Sequence, residues 1–208
     1  GPGRLAIYGS KHANETTWDD ALPLGVDGYD PYGYNTGIYR TDLNFEMYWD
    51  DNAEKLQRFN TILNQADYIF ITSNRQYATT VRVSERYPLT SVFYRNLLGC
   101  PAEKEIIWCY AVAKPGQFTG GLGYDLVQTF QSEPMLGGLM LNSQFAEEAF
   151  SVYDHPKVLI FQKRADYNAQ PVNALLSGVD LSYMVHVTPR KALRHPANLL
   201  LPAERMAR

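Results

Sequence analysis

Along this chain, apolar positions recur at two different spacings, and the stretch from Ala66 to Leu98 shows both in succession. Tyr68-Ile69-Phe70-Ile71-Thr72 is an unbroken β-branched and aromatic run, which predicts a central strand covered on both faces. Ser73 follows, with Gln76 three residues on, so each side chain can satisfy a backbone N–H that a first helical turn leaves orphaned; a helix is predicted to start there. After a break over residues 83–87, Pro88 suits a first helical position. Leu89, Val92, Phe93 and Leu97 then share one face until Gly99 ends the run. Upstream, Asp51 and Glu54 resemble a capping box, and Leu56, Phe59, Ile62, Leu63 and Ala66 line one face of about three helical turns.

A helix leading into a buried strand and then into another helix is the alternation of an α/β layer fold. Beyond Gly99 the texture changes. Ile106 to Val112 reads as a strand, Lys114 to Gly123 as a Gly-rich turn and Tyr124 to Phe130 as an alternating strand, which predicts a hairpin. Phe150 to Tyr153 and Val158 to Gln162 flank Asp154-His155-Pro156 and predict a second hairpin. From Arg164 onwards the pattern is helical, as over Val172 to Leu176, or irregular. The expectation is one α/β domain over residues 3–163. Its central β-sheet, largely parallel or mixed, would be flanked by helices, with antiparallel hairpins in the C-terminal half and a helical or irregular connecting segment over 164–208. Gly1-Pro2 reads as the remnant of a cleaved expression tag.

Composition narrows the function classes. A formal charge of −3 with 20% charged residues argues against a nucleic-acid partner. Five basic residues after Pro189 (Arg190, Lys191, Arg194, Arg205 and Arg208) against Glu204 give that end +4 and leave −7 elsewhere, so it suits either anionic headgroups or an ordinary solvated terminus. No run approaches the roughly 20 apolar residues that span a bilayer, and no charged-then-apolar leader opens the chain, which predicts a soluble product. Cys100 and Cys109 make no metal site by themselves; a disulfide cannot be read from their spacing, and free buried thiols are the favoured reading. Fifteen tyrosines suit sugar stacking and interfaces, although half-buried sheet positions are the plainer account.

Three places carry candidate chemistry. In the Gly-, Tyr-, Asp- and Asn-rich stretch from Gly9 to Asp42, which reads as loop, Trp18 stands beside Asp19 and Asp20. An aromatic platform next to carboxylates suits a carbohydrate, and adjacent acids can hold a hard cation, but no full ligand set is present. The competing reading is a solvated loop whose aspartates cap a short helix. Ser73-Asn74-Arg75 lies where a strand's C-terminal end meets a helix start, the place where open α/β sheets bind ligands, and Arg75 offers a forked donor for phosphate or carboxylate unless it only pairs with Asp67. Arg86-Tyr87 and Asp154-His155 are weaker and can equally lock the domain together through buried polar bonds; His155 at a corner before Pro156 is more often a structural donor than a ligand.

Several phrases together resemble a known family: Asn14-Glu15 with Trp18-Asp19-Asp20-Ala21-Leu22-Pro23, Ala66-Asp67-Tyr68 through Ser73-Asn74-Arg75, Arg86-Tyr87-Pro88 with Tyr94, and Phe150 through Val158. They look like the soluble region of the YYY-motif (Chlor-Arch-YYY) family of polytopic membrane proteins, which is similar to the C-type (GT-C) glycosyltransferases that use polyprenyl-phosphate sugars. The resemblance covers roughly residues 5–163, and Thr188-Pro189 with the run near Leu201 matches only the connecting segment of tandem members. It implies a domain on the extracytoplasmic face, partnered by a membrane-embedded half of the same polypeptide and by glycan or polyprenyl-phosphate sugar. The catalytic carboxylate of such enzymes sits between transmembrane helices, so the isolated domain would not catalyse. Its role would be acceptor or donor recognition, with no cofactor of its own and a divalent cation only in the full-length protein. The alternative is a non-catalytic interaction or scaffold domain. A soluble glycosidase ranks last, because Asp19 and Asp20 are sequence neighbours and opposed carboxyls are needed.

Overall fold

The computed structural model describes residues 5–7, 43–72, 74–140, 143, 146, 151–152 and 156–182, and it is a mixed α/β structure. Strand β1 (Leu5–Ile7) is followed by helix α1 (Ala53–Gln65), β2 (Tyr68–Ile71), α2 (Arg75–Thr80), α3 (Pro88–Leu98) and α4 (Ile106–Val112). Next come β3 (Tyr124–Phe130), the short pair β4 (Met135–Leu136) and β5 (Leu139–Met140), then β6 (Val158–Lys163) and α5 (Ala169–Ser177).

The main sheet has the order β1-β2-β6-β3. β1 runs parallel to β2, whereas β6 runs antiparallel to both β2 and β3, so the sheet is not largely parallel among the described residues. β2 is internal, as its apolar run predicts, with Ile69 and Ile71 fully buried and Tyr68 and Phe70 half-buried. The predicted hairpins are replaced by other pairings. β3 finds its partner in β6, across about thirty intervening residues, and Ser151–Val152, assigned above to a strand, are helical. The hairpin that does form is β4–β5, whose turn is Gly137-Gly138, both at positive φ.

The clearest correction is α4. Ile106-Ile107-Trp108-Cys109-Tyr110 is rich in β-favouring residues, yet the segment is helical because burial outweighs propensity. Ile106, Cys109, Tyr110 and Ala113, at helical spacing, are buried together. Cys109 is bridged to Cys100 (Cα–Cα 5.8 Å), so the thiols are not free, and the bridge ties the middle of α4 to the residue after the α3 cap.

Helix ends depart from expectation in instructive ways. The α1 cap is Asn52, whose side chain accepts from the Lys55 N–H; Asp51 points inward instead. α2 starts at Arg75, with Asn74 as a cap that makes no side-chain capping bond, and Ser73 lies outside the described residues. α3 behaves as read, with Pro88 in its first turn and Gly99 left-handed at φ 85°. A Cβ at Gly99 would also collide with the Thr119 carbonyl, so that position needs glycine twice over.

The core is aromatic. Phe45, Phe59 and Phe93 form one group with centroids 5.0–5.2 Å apart, and Tyr77, Tyr94 and Tyr110 form a second with Tyr77 stacked on Tyr110 at 4.5 Å. These tyrosines are fully buried on α2, α3 and α4, so at these positions neither sugar stacking nor a half-buried sheet position accounts for them. Their hydroxyls double as helix anchors: Tyr110 donates to the Tyr94 carbonyl, and Tyr124 lies 2.8 Å from the carbonyls of both Leu63 and Ala66, where α1 ends.

Candidate functional site

The sheet has one end at which several chain segments meet. β2 finishes at Ile71 opposite Leu159, β3 finishes at Phe130 opposite Val158, and Ile7 lies opposite Phe70. Asn74 stands just past β2 and donates through Nδ2 to the Ser151 hydroxyl at 2.8 Å, which joins this turn to the segment that runs on to Asp154, His155 and Pro156. Asn74 Oδ1 is buried with no hydrogen-bond partner among the described residues. A buried acceptor in that state calls for water or ligand.

The segment from Leu43 to Asp50 reaches this end through Tyr48. Tyr48 donates its hydroxyl to the Arg75 carbonyl at 3.2 Å, and its own carbonyl lies 3.5 Å from the Tyr87 hydroxyl. Tyr48 therefore links Asn74-Arg75 to Arg86-Tyr87, two pairs that the sequence singles out separately. Arg86 lies 3.4 Å from Asp50 at the surface, with its guanidinium 5.4 Å from the Tyr87 ring centre. Its Nε is buried and unpartnered among the described residues.

Beneath the segment lies a fully buried ion pair. Lys55 Nζ is 2.7 Å from Asp51 Oδ1, 2.7 Å from Thr90 Oγ1, 2.9 Å from the Met47 carbonyl and 2.7 Å from the Trp49 carbonyl. Asp51 also accepts from the Thr90 N–H and hydroxyl, at 3.0 and 2.8 Å, and so satisfies the first turn of α3. Burial lowers the Lys55 pKa, and Asp51 opposes that shift.

A second buried lysine lies at the start of β6. Lys157 donates to the carbonyls of Tyr110, Ala111 and Ala113, at 3.0, 2.9 and 2.8 Å, and so caps the C-terminal end of α4. Burial brings its pKa down to about 8; Glu133 opposes this and Lys114 adds to it.

Of the residues selected from sequence, Arg75 and Tyr87 are thus connected through Tyr48, with Asn74 and Arg86 next to them in the chain; Arg75 is exposed and Tyr87 buried. Trp18, Asp19, Asp20, Ser73, Asp154 and His155 lie outside the described residues. Sequence reasoning missed Tyr48, Trp49, Lys55 and Lys157. An Asp51–Lys55 spacing of four on a helix start was a legible signal for the ion pair; nothing local marks Lys157, whose partners lie more than forty residues away. Among the described residues no group of three or more His, Cys, Asp or Glu is arranged to hold a metal ion, and no helix is long and apolar enough to cross a membrane.

Comparison with protein-family models, with curated proteins and with solved structures finds no match to this chain.

Proposed function

We propose that this chain is the extracytoplasmic domain of a membrane glycosyltransferase that uses a lipid-linked sugar donor. In this reading it recognises acceptor or donor at the sheet end carrying Asn74 and Arg75, and it transfers no group itself. One observation carries the proposal: Tyr48 connects the Arg75 carbonyl to the Tyr87 hydroxyl, which links the Asn74-Arg75 turn to the Arg86-Tyr87 segment. Strand ends of this kind are where α/β sheets bind ligands, and Arg75 supplies a donor fork suited to phosphate or carboxylate. The Cys100–Cys109 bridge supports an oxidising, extracytoplasmic location, because disulfides persist there and are rare in the cytosol. Trp18, Asp19, Asp20, Ser73, Asp154 and His155 complete the proposed ligand set, and the membrane-embedded half of the same polypeptide is the proposed partner.

Saturation-transfer NMR of the chain against simple sugars and isoprenyl phosphates tests this, with Arg75→Ala as the control. Saturation transfer that disappears in Arg75→Ala is the expected result; no transfer to any compound overturns ligand recognition by this domain.

A second reading, an interaction domain, draws on a different surface. Phe130, Met135 and Leu139 are strongly exposed, the last two at 69% and 71%, along the end of β3 and the β4–β5 hairpin. It predicts that Met135→Ser with Leu139→Ser leaves sugar binding intact and reduces association with the membrane half.

A further inference from the structure

The segment over the site has an inside and an outside. Phe45 and Met47 are buried, whereas the next two side chains, Tyr48 and Trp49, are 42% and 49% exposed. The turn is closed by the Trp49 N–H donating to the Glu46 carbonyl at 3.2 Å. From below, Lys55 binds the carbonyls of Met47 and Trp49, the peptide groups just before Tyr48 and just after Trp49. A buried ion pair adds little net stability once its desolvation is counted, but it fixes the geometry of what it bonds. Here it fixes the backbone that carries two outward aromatics.

The indole is held as well. The Arg58 guanidinium lies 5.9 Å from the Trp49 ring centre, and Arg58 is anchored in turn by its Nε donating to the Asn44 carbonyl at 2.9 Å. A half-exposed Trp on a pinned backbone, braced by an anchored Arg, is a rigid flat surface whose ordering is already complete before anything binds. Asp50 follows Trp49 in the chain, and its carboxylate lies 3.4 Å from Arg86, both part-exposed, an acceptor and a donor carried by or paired to the same segment.

We infer that Trp49 is the stacking platform of a binding site for a neutral hexopyranose, with Asp50 accepting and Arg86 donating hydrogen bonds to its hydroxyls and Lys55 as the residue that positions the platform. A pyranose has an apolar C–H face to lay on an indole and a ring of hydroxyls for such a pair. A cation would meet Arg58 already seated on the ring, and a phosphate would meet Asp50. This inference rests on the ligand recognition proposed above, and it specifies the sugar-ring subsite, whereas Arg75 serves the charged group.

The test is an NMR titration of the ¹⁵N-labelled chain with the methyl glycosides of glucose, mannose and galactose, read at the indole N–H signals of its three tryptophans, alongside a titration with isoprenyl phosphate. The expected result is saturable movement of the Trp49 signal with at least one glycoside and none of the Trp108 signal. Affinity should fall about tenfold in Trp49→Ala and less than about threefold in Trp49→Phe. Asp50→Ala should weaken the glycoside and not the phosphate. Thermal melting of each variant checks that the fold is kept, which the exposure of Trp49 favours. Glycoside affinity within twofold of the parent in Trp49→Ala, with loss in Arg75→Ala, overturns the platform and leaves the recognition proposal standing. Binding of isoprenyl phosphate with no glycoside binding does the same. No binding of either class overturns both.

Discussion

Among the described residues two lysines are buried, Lys55 and Lys157, and their surroundings differ in a way that separates fold from function. Among the described residues Lys157 donates to main-chain carbonyls at the end of α4, a role that finishes a helix inside the protein. Lys55 is paired with Asp51, and its three N–H donors are shared among that carboxylate, the Thr90 hydroxyl and the carbonyls of Met47 and Trp49. The first holds up the core, and the second holds a surface segment in place. The same residue type therefore predicts different consequences when each partner set is removed.

The largest effect expected is at Asp51. Asp51→Ala leaves a buried ammonium without its counter-charge and the first turn of α3 without its acceptor, so urea denaturation should show a loss of about 3–5 kcal/mol. A loss under about 1 kcal/mol would mean that the pair is not a working unit. Next is the bridge that steadies the helix Lys157 caps. Cys100→Ser with Cys109→Ser opens a loop of sequence separation 9 and should cost about 2–3 kcal/mol, read as a lower denaturation midpoint under non-reducing conditions.

The pH response distinguishes the two lysines further. A Lys157 pKa near 8 in the folded state, against 10.5 unfolded, means that the unfolded chain holds more protons between those values, so stability should rise with pH across that window. The slope is at most about 1.4 kcal/mol per pH unit. Lys55, also lowered, contributes in the same direction. Above about pH 10 the buried Tyr94 and Tyr110, and Tyr167 at about 12, keep protons that the unfolded chain loses, so stability falls again. Melting temperature should therefore peak near pH 10, and Lys157→Met should flatten the rise. An unchanged rise in that variant would assign it to Lys55 alone. The smallest effect is at the rim: Arg86→Ala removes an exposed ion pair worth under about 1 kcal/mol, so it should alter ligand binding far more than melting temperature.

Much of the framework was legible in the sequence. The apolar face of α1, the internal strand β2, and α3 from its proline start to its glycine stop follow from local periodicity and capping, because those signals act within a few residues. α4 was misread although its buried positions repeat at helical spacing, since its β-branched and aromatic content spoke for a strand. The Asp51–Glu54 capping box was shifted by one residue, and Asp51 was freed to become the buried partner of Lys55. At the candidate site, Asn74-Arg75 and Arg86-Tyr87 could be picked out as separate weak signals. That they adjoin could not, because the link is the hydroxyl and carbonyl of Tyr48, 27 residues from one pair and 39 from the other.

The sequence by itself determined the helices and strands whose periodicity is unbroken, the glycine at the end of α3, and the residue types available for a polar, aromatic site. Only the tertiary structure decided that β3 pairs with β6, that Cys100 meets Cys109, that α4 is a helix, and that Lys55 and Lys157 lie inside with carbonyls for partners. The division has a physical cause. Capping and periodicity are settled by bonds between neighbours, whereas strand pairing, disulfide closure and the burial of a charge depend on groups far apart in sequence, and these become neighbours only when the whole chain has folded.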